Sequence, residues 1–278
     1  MKKILIKVLP NKIIEVIKKI LSIKKNRLLK KLYFHDSNKT IYLGTEYGGW
    51  TILDDKKLEN KFIISAGLGE DASFDVEMIN RYNCKIIIVD PTPRAIEHYN
   101  QIIKNSGSSK KKNYEEDGKL SISSYDLTKI NSKNFILIKR ALYNLNNKEL
   151  KFFSPPNENH VSHSINNWQN NYKKNTKFIK VKTISIEDII NKFNIKELEL
   201  LKLDIEGAEI KVINNMIKNN IFPKQILVEF DELNKISKIS KNRFFTVHKN
   251  LLAQNYKLIK SQNNFPNFLY ARQFLNKN

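Results

Sequence analysis

The sequence predicts an α/β fold built around a mostly parallel sheet. Short apolar runs recur along the chain, among them Phe62-Ile63-Ile64, Ile86-Ile87-Ile88-Val89, Leu200-Leu201-Lys202-Leu203 and Ile226-Leu227-Val228. Stretches with helical spacing separate them. Several of the runs stop at glycine or a carboxylate, as strands do at the ligand-binding edge of an open sheet. Strands alternating with helices give a layered α/β domain. With 278 residues and 41% hydrophobic side chains, the chain can bury a sizeable core, and wholesale disorder is excluded.

Residues 1–40 read as a basic N-terminal appendage and 41–278 as the main domain. Ile13, Ile14, Ile17, Ile20, Leu21, Leu28 and Leu32 recur at near-helical spacing with lysines between them. Lys7, Lys12, Lys18 and Lys19 interrupt any secretory apolar core. Two readings of residues 1–32 stay open. One is a helix on an anionic membrane surface or acidic partner. The other is a helix packing its Ile/Leu face on the domain.

Residues 41–53 hold Gly44, Gly48, Gly49, Tyr47 and Trp50. They suggest either a tight turn bringing aromatics to a pocket or a simple hairpin. Phe62–Ala66 is a strand running into Gly67-Leu68-Gly69, followed by a helix over 74–82. Lys85–Val89 is a second strand ending at Asp90-Pro91-Thr92-Pro93, and a helix follows at about 94–105. Residues 106–119 read as a polar loop, 134–141 and 150–153 as strands, and 154–177 as irregular. A helix is expected within 184–193, a strand over 200–204, a helix over 207–220 and a strand over 226–230. The chain closes with a helix over 246–255 and short strands near 256–259 and 268–271.

The net charge of +21 invites a nucleic-acid reading. The basic residues, however, are 43 Lys and only 6 Arg, and Arg is the residue of bidentate phosphate and base recognition. The excess of Lys, Ile and Asn also fits A/T-rich codons, so no specific nucleic-acid partner is expected. Ten of the 21 charges fall in residues 1–31, which hold eleven Lys/Arg against Glu15. Cys84 is the single cysteine, which excludes a disulfide framework and fits a reducing, cytoplasmic location. No apolar run approaches the roughly 20 residues that span a bilayer.

The chemistry is expected at the strand ends. Gly67 and Gly69 let a ligand approach the backbone, and the following helix N-terminus offers amides to an anion. Ala72 stands where a dinucleotide fingerprint has its third glycine, and Glu70 and Asp71 would repel a pyrophosphate. Asp90, 21 residues beyond Gly69, can accept from a ribose diol. NAD and S-adenosyl-L-methionine both fit this pair, and the sulfonium ligand suits the acidic turn better. Asp204 and Glu229 end later strands, with Glu206 beside Asp204. Such carboxylates can orient an ammonium group, bind a metal or act as a general base. Glu209 reads as support for the next helix. His160 and His163 suggest a polar loop, a substrate contact or a metal pair. Trp168 and Tyr172 are candidates for pocket wall or core. His248 reads as structural, and His35 and His98 have no evident partner.

Leu201-Lys202-Leu203-Asp204-Ile205-Glu206-Gly207-Ala208-Glu209 resembles the Lys-Ile-Asp-Val/Ile-Glu-Gly-Ala-Glu signature of the FkbM-type S-adenosylmethionine-dependent methyltransferases. In the same order, Ser65–Asp75 resembles the cofactor turn of one branch and Val89–Pro93 the second-strand ending. Ala141–Asn144 and Thr183–Asp188 resemble later family segments, and Gly48-Gly49-Trp50 resembles an upstream feature. The likeness covers about 41–271. It implies a Rossmann-like class I methyltransferase sheet, mostly parallel with the last strand antiparallel, and helices on both faces.

Carried over, it implies that Gly67, Leu68 and Gly69 face the methionine part of S-adenosyl-L-methionine and that Asp90 holds the ribose. Pro91 and Thr92 flank the adenine, and Ala141 lies along its edge. Asp204 sits near the amino group or reacting methyl. Ser65 stands where the family has an acid, and Glu70 or Asp71 takes over part of that contact. No metal is expected. Glu206, Glu229 and His163 are candidates for the base that deprotonates an acceptor hydroxyl on a sugar or small molecule. The rivals are a nucleic-acid methyltransferase and a non-enzymatic adenosine-ligand-binding module.

Overall fold

The computed structural model describes residues 20, 22–35, 39–114, 118–156, 162–170, 172–262 and 266–272. A helix over 22–29 (α1) leads to an antiparallel hairpin, β1 (Thr40–Leu43) and β2 (Trp50–Leu53). The central strands are β3 (Phe62–Ala66), β4 (Lys85–Val89), β5 (Phe135–Ile138), β9 (Leu200–Leu203), β10 (Gln225–Glu229), β11 (Tyr256–Ser261) and β12 (Asn267–Arg272). They form one sheet in the order β11-β12-β10-β9-β3-β4-β5. The pairs from β10 through β5 are parallel, while β12 is antiparallel to both β10 and β11. The mostly parallel sheet with an antiparallel last strand is therefore as expected.

The apolar runs exist because both faces of the sheet are covered. Along β3 and β4 successive side chains alternate between two cores. Ile64, Ala66, Ile87 and Val89 join one; Ile63, Ile86 and Ile88 join the other. The first core is closed by α4 (Ile186–Phe193), α5 (Glu209–Lys218) and α6 (Lys238–Ala253), through Ile189, Val212, Met216, Phe244 and Leu251. The second is closed by α2 (Ser73–Tyr82) and α3 (Pro93–Lys104), through Phe74, Met78, Ile79 and Ile102, together with Trp50 and Ile52 of the hairpin. Each of these fully buried side chains contributes about 2 kcal/mol of transfer free energy.

A second, three-stranded sheet has the order β6 (Ala141–Leu142), β8 (Phe178–Ile184), β7 (Glu149–Phe153). Strand β8 was not expected. The predicted 134–141 strand splits: Phe135–Ile138 belongs to the main sheet, and Ala141–Leu142 pairs with β8 instead.

One helix lies inside its expected span, and two helix starts move. Ser185 accepts from the Asp188 amide at 3.2 Å, so α4 begins at Ile186 and Ile184 stays in β8. Glu206 and Gly207 have φ of +53° and +105°, so α5 begins only at Glu209. Helix α6 begins at Lys238, eight residues before the expected start, because Ser237 and Ser240 cap each other's amides at 3.0 and 2.8 Å.

Residues 1–19 and 21, where most of the expected amphipathic helix falls, lie outside the described residues. Its described end packs on the domain. Leu28 and Leu32 are buried in the first core, and the His35 amide donates to the Leu258 carbonyl at 2.8 Å. Ile20 and Ile23 are exposed. No helix among the described residues is long and apolar enough to cross a membrane.

Candidate active site

A cavity of about 570 Å³ opens at the carboxyl ends of β3, β4, β9 and β10. At its floor, Gly67 has φ +88°, and a β-carbon there would collide with the Asp204 carbonyl oxygen. The Asp204 amide in turn donates to the Ala66 carbonyl at 3.1 Å. Only glycine lets the ends of β3 and β9 meet this closely.

The amides of the glycine turn are not free. Leu68 and Gly69 donate to Asp90 Oδ2 at 2.9 and 3.3 Å. Thr92 donates to Asp90 Oδ1 from both its amide and its hydroxyl, at 2.8 and 2.7 Å. At the start of α2, the Ala72 amide donates to Tyr125 Oη at 3.0 Å and the Ser73 amide to Asp71 Oδ1 at 2.9 Å. The expectation that this helix end presents bare amides to an anion is corrected at these four positions.

The acids of the turn are also engaged. Asp71 Oδ2 accepts from the Thr45 hydroxyl at 2.6 Å, and Glu70 is ion-paired with Arg94. Asp71 thus ties the turn to the hairpin, where the Thr45 amide donates to Ser73 Oγ at 2.9 Å and the Gly44 amide to Glu77 Oε2 at 2.8 Å. The tie carries Glu46, Tyr47, Gly48 and Trp50 into the cavity wall. The 41–53 segment is therefore both a hairpin and a carrier of aromatics to a pocket. Ser65 is a correction: it is fully buried inside β3 and is not part of the wall. Pro91, Thr92 and Ala141 do line the cavity, beside Leu142 and Phe152.

At the β9 and β10 ends, Asp204, Glu206 and Glu229 share the same wall. Burial pushes the Glu206 carboxyl up to about 8, reinforced by Asp231 and Asp204 and opposed by a hydrogen bond from Ser162. Burial, then Asp204 and Glu206, hold Glu229 well above the usual carboxylate range. The Asn234 amide, 3.4 Å from Glu229 Oε1, offsets part of this. Glu209 accepts from the Ile205 and Gly207 amides at 3.1 and 3.0 Å, which is the supporting role expected of it.

His163 lines the cavity, 3.3 Å from Ser154 Oγ. His160 and the Trp168 side chain lie outside the described residues. Tyr172 is 72% exposed, so it is neither wall nor core. His98, expected to lack a partner, contacts Tyr125 Oη through Nε2 at 2.8 Å, and burial lowers it to about 4. His248 Nδ1 lies 2.9 Å from Tyr270 Oη in the core and is structural, as expected. Sequence reasoning missed Lys202, Phe152 and Asn234 as site residues, and Tyr125 as the buried support of the Ala72 amide. Lys202 was visible as a charge inside an apolar strand, two residues before Asp204 and hence on the same face.

Among the described residues, no group of three or more His, Cys, Asp or Glu side chains is placed to hold a metal.

A doubly covered sheet of this order, with a glycine turn and facing carboxylates at adjacent strand ends, defines a Rossmann-like α/β domain with its ligand cavity at the strand ends. The chain belongs to the FkbM methyltransferase family: the Methyltransferase FkbM domain matches residues 64–258, and the protein is a methyltransferase. No curated protein and no solved structure gave a match. The hairpin that carries Tyr47 and Trp50 lies before the matched span.

Proposed function

We propose that the protein uses S-adenosyl-L-methionine to methylate a hydroxyl group of a sugar or other small molecule. The observation that carries this reading is the convergence of Glu206 and Glu229 on the cavity that also holds the glycine turn and Asp90. The donor set fits the cofactor. The cavity of about 570 Å³ beside the turn has room for it, and an acidic wall suits a sulfonium. When bound, S-adenosyl-L-methionine supplies an electrophilic methyl carbon.

The chain's own residues supply position and proton removal. Gly67, Leu68 and Gly69 floor the methionine side, with Asp204 toward its amino group. Asp90 takes the ribose, and Pro91, Thr92 and Ala141 border the adenine. In the described conformation Asp90 already accepts four hydrogen bonds, about the capacity of a carboxylate. The Thr92 hydroxyl can rotate away, and is the donor that a ribose hydroxyl replaces.

Glu206 is the general base. A carboxyl at about 8 takes an acceptor proton near neutral pH far better than an ordinary one. Glu229, held above the usual carboxylate range beside it, contacts the acceptor. His163, between Ser162 and Ser164 that both contact Glu206, is a substrate contact on the same wall. An anionic acceptor such as a nucleic acid meets a wall with seven acidic side chains and Lys202 as its one lysine or arginine among the described residues, which disfavours the nucleic-acid reading. We also read the chain as cytoplasmic, with the basic segment that precedes the buried Leu28 docking on anionic lipid. The support is the +10 charge of residues 1–31 and the exposed Ile20 and Ile23.

The test is transfer of a radiolabelled methyl group to a panel of neutral glycosides. Glu206→Gln is expected to lower kcat by roughly 10²–10⁴-fold while leaving cofactor affinity within about twofold. The wild-type rate rises with pH through about 8, and the variant loses that rise. Full activity in the variant removes Glu206 as the base.

A further inference from the structure

The cavity wall brings together seven acidic side chains; Glu70 is paired with Arg94 and Glu206 and Glu229 are held above the usual carboxylate range, which leaves Glu46, Asp71, Asp90 and Asp204 as its other acids. S-adenosyl-L-methionine, on which this inference rests through the functional reading above, carries a carboxylate of its own. Placed unaided in such a wall, that group is repelled. The backbone amides that ordinarily hold an anion beside a glycine turn are engaged elsewhere: Leu68 and Gly69 with Asp90, Ala72 with Tyr125, Ser73 with Asp71.

Among the described lining residues, one lysine or arginine is present, Lys202. Its position is specific. Lys202 is 4% exposed in the middle of β9. Its Nζ donates to the Gly67 carbonyl at 2.5 Å, lies 3.9 Å from Asp204 Oδ2, and faces the Trp50 ring at 5.7 Å from the centroid. Gly67, Asp204 and Trp50 all line the cavity. The ammonium therefore sits at the junction of the β3 and β9 ends, where the methionine part of the cofactor is placed. An ammonium has three N–H donors; the Gly67 carbonyl takes one, and Asp204 at 3.9 Å is an ion partner beyond hydrogen-bond distance.

We infer that Lys202 is the cofactor-binding residue that holds the methionine carboxylate and makes an otherwise acidic cavity tolerant of it. Asp204, on the same strand face, then takes the amino group. The two ends of the amino-acid moiety are sorted by the i and i+2 positions of one strand.

Calorimetry with two ligands tests this. The first is S-adenosyl-L-methionine. The second is its decarboxylated analogue, which keeps the sulfonium and the amine and lacks only the carboxylate. Wild type is expected to prefer the parent cofactor by on the order of tenfold or more. Lys202→Met and Lys202→Gln are expected to bring that preference to about one, while Lys202→Arg retains most of it. Because the readout is a ratio within each protein, a general loss of stability does not imitate the result.

A preference that survives in Lys202→Met or Lys202→Gln overturns the inference. So does a wild type that binds the two ligands equally, which needs no variant to fold. A wild type that binds neither ligand overturns the cofactor reading itself, and the two failures are thereby distinguished.

Discussion

At the β3 and β4 ends of the cavity, the acids are matched by donors. Asp90 has four hydrogen bonds, Asp71 accepts from Thr45 and Ser73, and Glu70 is paired with Arg94. At the β9 and β10 ends, Asp204, Glu206, Glu229 and Asp231 act on one another, and Glu206 and Glu229 are driven above the carboxylate range. The first region is a satisfied scaffold that holds a shape. The second holds carboxyls away from their ordinary ionisation, as proton-transfer chemistry requires. Substitutions in the first should cost stability and cofactor affinity. Substitutions in the second should cost turnover and leave the fold intact.

The sharpest break in the scaffold is Gly67→Ala. The added carbon meets the Asp204 carbonyl in a left-handed backbone, and we expect a loss of about 3 kcal/mol or more in urea unfolding. Gly107→Ala is the control, since Gly107 has a similar φ of +85° and nothing within 4 Å, and should cost about 1 kcal/mol. Asp90→Asn keeps one acceptor oxygen and loses the charge. It should cost about 2 kcal/mol and weaken S-adenosyl-L-methionine binding by roughly tenfold or more in calorimetry.

Tyr125→Phe is smaller. It leaves the Ala72 amide and His98 Nε2 without the hydroxyl that serves both, and should cost about 1 kcal/mol in thermal unfolding.

Glu206→Gln should have the least effect on the fold, and of the opposite sign at high pH. Because the folded carboxyl lies near 8 against an ordinary 4.5, the folded state binds the proton more tightly than the unfolded one. That stabilisation is fully present below about pH 4.5 and is lost as pH rises through about 8. Melting temperatures across this window should fall in wild type and fall less steeply in Glu206→Gln, where Glu229 and Glu209, also raised by burial, still contribute. A parallel fall in both proteins would show that Glu206 is not the titrating group.

The scaffold was more legible in the sequence than the reactive end. Ile86–Val89 reads as a strand because burial on both faces leaves no polar interruption. Gly67, Gly69, Asp90 and Asp204 were recognisable because each follows such a run. Strand β8 was hidden, since its exposed Lys180 and Lys182 alternate with Val181 and Thr183 in a chain where lysine is everywhere. The start of α6 was hidden by its polar first turns, although the Ser237–Ser240 pair marked it. Ser65 matched a family position in order, but its side chain is enclosed within the sheet layer. Asn234 reaches the site from the short 3-10 helix Asp231–Lys235, and Tyr125 supports the turn from the segment after 122–124; their placement depends on tertiary packing, which local pattern does not encode. The ion pair of Glu70 with Arg94 likewise forms between residues 24 apart.

The most direct measurement of the central claim is calorimetric titration of the wild-type protein with S-adenosyl-L-methionine and, separately, with NAD. The cavity described here should bind one S-adenosyl-L-methionine per chain and give no measurable heat with NAD, whose pyrophosphate would face Glu70 and Asp71. Absence of S-adenosyl-L-methionine binding, or tighter binding of NAD, would contradict it.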